Sequence, residues 1–234
     1  MNKILIWDLP ARFFHWAFAV TLTLAFILGL TGEHGGQFFQ YHKLLGLVAV
    51  FLLVCRIILG LVGSRPLRWT SFPLRPGEIW GYFTGILAGR HQSYPGHNPG
   101  AALAALAMFI LVPLVVFTGL FRGGEALEDL HAVLAYTLCG VVAAHILGLI
   151  VHTIRHRENI GAAMLTGRKM GPPEAALPSA HFGWGLVLAV AVAAWVWLLF
   201  GNYNPRNGTV RLPVIGTIVD LGKGESGSRE HDDD

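Results

Sequence analysis

Five long apolar runs, separated by short polar stretches, set the pattern of this chain. They are Arg12 to Leu30, His42 to Val62, Ala101 to Phe121, Asp129 to Asn159 and Phe182 to Phe200. Each passes the roughly 20-residue test for a helix that crosses a bilayer core. The punctuation agrees with helices. Pro10 stands at a first-turn position behind Trp7 and Asp8, and Asn98-Pro99 reads as a cap followed by a first-turn proline. Pro113 falls inside the third run and predicts a kink there. The predicted class is an all-α membrane protein, a four-helix transmembrane bundle with a fifth, C-terminal transmembrane helix. Beyond it, Asn202 to Asp234 changes character, with a short β-like run (Thr209 to Val219) and a Gly/Ser/acidic end of disordered composition. Three parts are expected: 1–170 as the bundle, 171–201 as linker and fifth helix, and 202–234 as a partly disordered tail.

Composition sharpens this. The chain has 234 residues, 53% hydrophobic and only 13% charged, where a soluble domain carries about 25% charged residues. The net charge of +3 is mild, and nothing suggests a nucleic-acid partner. Cys55 and Cys139 both fall inside apolar helices, so each is expected to be a small buried hydrophobe rather than part of a disulfide. Neither belongs to a C-x-x-C-H run, which excludes covalent c-type haem attachment. The first apolar run exceeds a signal-peptide core and has no A-x-A site behind it, so no cleavable leader is expected.

The placement of charge gives the topology. Lys3 and Arg12 precede the first helix; Arg65, Arg68, Arg75 and Arg90 follow the second; Arg155, Arg157, Arg168 and Lys169 follow the fourth. The opposite loops offer Lys43 and Arg122. The positive-inside rule then puts the N-terminus in the cytoplasm and, after five crossings, the C-terminal tail outside, which in a bacterial inner membrane would be the periplasm. Arg206, Arg211, Lys223 and Arg229 in the tail oppose that rule for the fifth helix.

The candidate chemistry lies in the histidines. Ionisable side chains within a membrane are expensive and read first as functional. His131 and His145 stand fourteen residues apart on the fourth helix, which is about 40° off the same face and roughly 21 Å along the axis. His42 starts the second helix on the same side as His131, and His15 lies a turn or so into the first helix at the depth of His145. The depth match predicts two pairs, His42–His131 near the outer surface and His15–His145 near the inner one. Two imidazoles at one depth suit a bis-histidine haem iron, which has no open coordination site and passes single electrons. A flat macrocycle also fills a bundle core. Gly46, Gly60, Gly119, Gly140 and Gly148 would allow close helix approach, or are ordinary packing residues, the more common case.

Arg56 lies fourteen residues after His42, at the depth of the inner pair, and needs a counter-charge. A haem propionate would serve as a bidentate partner; snorkelling to the headgroups is the other reading. His34, His91, His97 and His181 read as loop or helix-end residues. His152 and His156 fall at the basic rim, where they would meet headgroups or, as the lesser reading, a quinone or a partner. His231 belongs to the tail.

These residues carry a resemblance. Trp7-Asp8-Leu9-Pro10-x-Arg12-x-x-His15-Trp16 and His42-Lys43-x-x-Gly46 are followed by Arg56, Gly63-Ser64-Arg65 and Gly96-His97-Asn98-Pro99. His131, His145, His156-Arg157-Glu158-Asn159 and Met164-x-Thr166-Gly167-Arg168-Lys169 complete the set. The chain resembles the bacterial cytochrome b561 and nickel–iron hydrogenase b-type cytochrome group, di-haem membrane electron carriers, over residues 3 to 170. The resemblance implies two non-covalent haems b with axial ligands at His15, His42, His131 and His145. It stops near Lys169, so the fifth helix and tail are an extension.

The expected function is a b-type cytochrome subunit relaying single electrons between a periplasmic redox protein (a c-type cytochrome, a hydrogenase or similar) and the quinone pool. Two alternatives remain open at this point. One is a stand-alone quinone oxidoreductase fed by a small donor such as superoxide, which would want a basic funnel near the outer pair. The other is a histidine-lined metal transporter, which would want carboxylates beside the histidines.

Overall fold

The computed structural model describes residues 2–32, 36–90, 94–121, 124–157 and 159–222. His34, His91, Arg122, His231 and the acidic end of the tail lie outside the described residues, as does the side chain of His156.

Seven α-helices are described: α1 (Leu9–Thr31), α2 (Gln37–Val62), α3 (Pro76–Leu87), α4 (Pro99–Leu120), α5 (Glu125–His156), α6 (Ile160–Thr166) and α7 (Phe182–Gly201). Five of them, α1, α2, α4, α5 and α7, are long and apolar enough to cross a membrane. Side-chain caps fix several starts. The Asp8 carboxylate accepts from the Ala11 amide at 3.1 Å and Asn98 accepts from Ala101 at 2.8 Å, satisfying main-chain donors that have no helical partner. Gly167 ends α6 in the left-handed region at φ 77°, where a side chain would be strained and a Cβ would lie 2.6 Å from the Trp7 carbonyl oxygen.

The bundle is built from two antiparallel hairpins, α1–α2 and α4–α5, with α2 packed on α4 and α7 laid against α1 and α2. Phe14 and Phe18 of α1, Leu44, Val48 and Leu52 of α2, Val112 of α4 and Leu188, Val192 and Leu199 of α7 form its core. Helix α5 contributes little to that core: Leu138 is its one buried apolar side chain among the described residues. Its inward face borders a cavity instead. Outward, Leu147, Ile150 and Ile154 are exposed, as expected of a face that meets lipid.

Short elements close the end that carries the N-terminus. Strand β1 (Asn2–Leu5) pairs antiparallel with β2 (Arg168–Gly171), tying the first residues to the end of α6. The Asp8 carboxylate meets His181 Nδ1 at 3.1 Å, and the Leu9 amide donates to the Ala180 carbonyl, which docks the entry of α7 on the start of α1. At the opposite end the tail folds into a three-stranded antiparallel sheet, β3 (Tyr203–Asn204), β4 (Thr209–Arg211) and β5 (Ile218–Asp220). It returns to α2: Gln40 Nε2 donates to the Gly222 carbonyl at 2.8 Å, the Tyr203 hydroxyl bonds Gln40 Oε1, and Val210 and Leu221 are buried.

The α3 helix, with Trp80, Phe83 and Leu87 exposed along it, was not anticipated because a 12-residue amphipathic segment fails a length test for spanning helices. The expectation that Gly140 and Gly148 seat neighbouring helices fails: a Cβ at either would meet nothing within 4 Å. Gly60 does serve close approach, since a Cβ there would overlap the Trp69 indole.

Candidate cofactor site

A cavity of about 620 Å³ runs through the bundle between α1, α2, α4 and α5, and His15, His42, Arg56, His131 and His145 all line it. Its walls are otherwise largely apolar, with Phe14, Phe18, Leu22, Phe109, Val112 and Leu138 among them.

At the end away from the N-terminus, His42 and His131 face one another with ring centroids 6.0 Å apart and planes at 83°. Each ring is anchored in the same way. His42 Nδ1 lies 2.6 Å from the Ala25 carbonyl oxygen of α1, and His131 Nδ1 lies 2.9 Å from the Val115 carbonyl oxygen of α4. A glycine stands four residues after each acceptor. A Cβ on Gly29 would lie 3.0 Å from the His42 ring, and one on Gly119 would lie 2.8 Å from the His131 ring. Donation from Nδ1 to a carbonyl fixes the tautomer, so Nε2 keeps its lone pair for another partner.

At the other end, His15, His145 and His97 line the same cavity. The Nδ1 of His15 is sealed from solvent and has no hydrogen-bond partner. Beside them, Arg56 is 3% exposed. Its guanidinium carbon lies 4.5 Å from the Trp69 ring centre, 5.4 Å from Phe109 and 5.6 Å from Phe72, and Nη1 has no hydrogen-bond partner. Arg56 therefore points inward and does not snorkel. Three cation–π contacts recover about 0.5–2 kcal/mol each, against a burial cost of several kcal/mol per ion, so the site favours an added anion.

His97, read from sequence as a loop residue, is part of this end. It packs edge-on to Trp7 at 4.8 Å and against Phe72 at 4.6 Å, lines the cavity, and has an Nδ1 sealed from solvent with no partner. Burial, then the Arg56 charge and the two histidines, hold its imidazole well below the ordinary value, so it stays neutral. His152 and Lys169 also line the cavity, with Lys169 Nζ donating to the Tyr94 carbonyl at 2.8 Å. His181 instead pairs with Asp8.

The donor chemistry narrows what the cavity suits. Among the described residues no group of three or more His, Cys, Asp or Glu side chains could hold a metal ion. Two imidazoles alone leave a transition ion short of ligands, unless a macrocycle supplies the remaining four. Imidazole nitrogens bind such metals at about 2 Å, and a ring centre lies about 1 Å beyond, so two imidazoles across one iron have centres about 6 Å apart. The His42–His131 separation matches. The sequence model of a family described as prokaryotic cytochrome b561 matches residues 6–167.

The chain belongs to the prokaryotic cytochrome b561 family. It is a multi-pass bacterial membrane protein, a b-type cytochrome of electron transfer, and the family implies haem b binding. No curated protein and no solved structure matches it significantly. The matched span takes in the cavity-lining residues up to Gly161, Ala163 and Met164 and leaves out α7 and the tail sheet. Within the cytochrome b561 match, Gly29 was missed from sequence. Its signal was present as a repeat: a carbonyl acceptor, a glycine four residues on, and a histidine twelve or thirteen residues after that, in both hairpins (Ala25, Gly29, His42 and Val115, Gly119, His131).

Proposed function

We propose that this cytochrome relays single electrons through two non-covalent haems b, between a periplasmic redox protein and the quinone pool. His42 and His131 would hold the outer haem, and His15 and His145 the inner one. A haem iron with imidazole on both faces exchanges one electron at a time and offers no open position to substrate.

The observation that carries the reading is the matched anchoring of His42 and His131: each Nδ1 is fixed on a neighbouring helix's carbonyl, with a glycine making room for each ring. That anchoring orients Nε2 and raises its basicity as a ligand. The inner pair is supported by depth and by the shared cavity. The apolar walls keep water from the cofactors, and buried Arg56 supplies positive charge beside the inner pair. The lysine and arginine distribution supports an N-terminus in the cytoplasm, which puts the inner pair near the cytoplasmic leaflet.

The test is spectroscopic. Protein purified in mild detergent should show Soret and α bands of low-spin haem b, and a short-chain quinol should reduce it. Absence of a Soret band would overturn the reading. Haem that exchanges no electrons with quinol or quinone would remove the quinone pool from it.

A further inference from the structure

We infer that Arg56 and His97 form a carboxylate clamp, and that its occupant is a propionate of the haem held by His15 and His145. The inference rests on the reading above and goes beyond it by assigning His97, a residue outside the ligand set.

Two nitrogens without a hydrogen-bond partner belong to side chains that line one end of the cavity. Arg56 Nη1 and His97 Nδ1 are both sealed from solvent without a hydrogen-bond partner, and both side chains line the cavity. They share a wall: the Phe72 ring lies 5.6 Å from the Arg56 guanidinium carbon and 4.6 Å from the His97 ring centre. Phe109 and Trp69 also lie against the guanidinium, and Trp7 packs edge-on to His97. A cation so enclosed needs an anion.

Among the described residues the protein offers none. Asp8 is the one buried carboxylate among the described residues, and its two oxygens are taken by the Ala11 amide and His181. Among the described residues Arg56 has no ion pair. The missing partner is therefore an anion brought by a ligand, and a planar carboxylate fits a guanidinium fork beside a neutral imidazole that donates one N–H. The apolar cavity running on from this point toward His42 and His131 suits a ligand whose body is apolar and whose acid group is at one edge.

The test separates the carboxylate from the rest of the haem. The full chain is stripped and reloaded with haem or with haem dimethyl ester, and release of the inner component to excess apomyoglobin is timed. Pyridine haemochrome counts at the start check loading, so failure to bind any haem would count against the function itself and not against the clamp. With native haem, Arg56→Leu should speed inner release about tenfold, as loss of a charge-assisted hydrogen bond implies. His97→Ala should speed it several-fold, and His97→Gln, which keeps a donor, should restore it. With the dimethyl ester, wild type and variants should release at one rate. Equal release of native haem from wild type, Arg56→Leu and His97→Ala would overturn the clamp, as would the same differences persisting with the ester. An inner-haem potential that shifts with added formate in wild type but not in Arg56→Leu would show a carboxylate site open to formate and overturn the assignment to haem.

Discussion

The two ends of the cavity hold the same kind of side chain in different ways. At the far end His42 and His131 sit in near-identical settings: a carbonyl bond, a glycine, and a facing imidazole at 6.0 Å. At the N-terminal end His15 has an unpartnered Nδ1 and shares its space with His145, His97 and a buried arginine. The far end is organised by hydrogen bonds within each hairpin. The near end is organised by charge, and by aromatic rings from the loop between α2 and α4. On the proposed two-haem reading, rigid rings at the far end would fix ligand geometry, while charge at the near end would set redox potential.

The largest expected effect tests whether the two ends are separate sites at all. His42→Ala and His131→Ala should each remove the same component from a redox titration, and His15→Ala and His145→Ala the other. If His15→Ala and His42→Ala removed one and the same component, the depth pairing would be broken. A smaller change probes the glycines. Gly119→Val places a Cβ 2.8 Å from the His131 ring, and should destabilise by about 2 kcal/mol as overpacking does, with spectral change confined to the far-end haem. Gly46→Ala, where Val116 is at an ordinary 3.5 Å, serves as the control and should leave both components in place.

Smaller again is a shift without loss. Arg56→Leu should lower the near-end potential by on the order of 50–100 mV, because a buried positive charge favours the reduced iron and one decade of a one-electron equilibrium is about 59 mV. An unmoved midpoint, with the far-end component as internal reference, would remove Arg56 from the electrostatics of the site. The least effect on the cofactors belongs to α7. Truncation after Lys169 should leave both components present, because among the described residues no lining residue of this cavity lies beyond Lys169. His181→Ala should cost about 1–2 kcal/mol through the lost bond to the buried Asp8 carboxylate, read as a lower Tm at unchanged haem content. Loss of a haem from the folded truncated chain would mean that α7 belongs to the cofactor core.

The spanning helices were legible because a 20-residue apolar run is a strong, local signal, and Asp8 and Asn98 mark two of the starts. His15, His42, Arg56, His131 and His145 were legible because polar side chains at such depths stand out. His97 was not, for a physical reason: it precedes α4 in a loop, and only the folding of that loop back against Trp7 and Phe72 makes it part of the interior. Gly29 was hidden by its type, since a helical glycine in a membrane is common. Only its spacing from Ala25 and the facing ring of His42 gives it a role. The tail sheet was half legible: Thr209 to Val219 read as β, but its return to Gln40 depends on contacts across more than 160 residues.

The central claim is two haems, one at each end of one cavity. Pyridine haemochrome quantification against protein concentration, on the full chain purified in mild detergent, tests it most directly. The account predicts two non-covalent haems b per chain, falling to one in His131→Ala. A value of one in the wild type would eliminate one of the two sites, and a chain without haem would contradict the account outright.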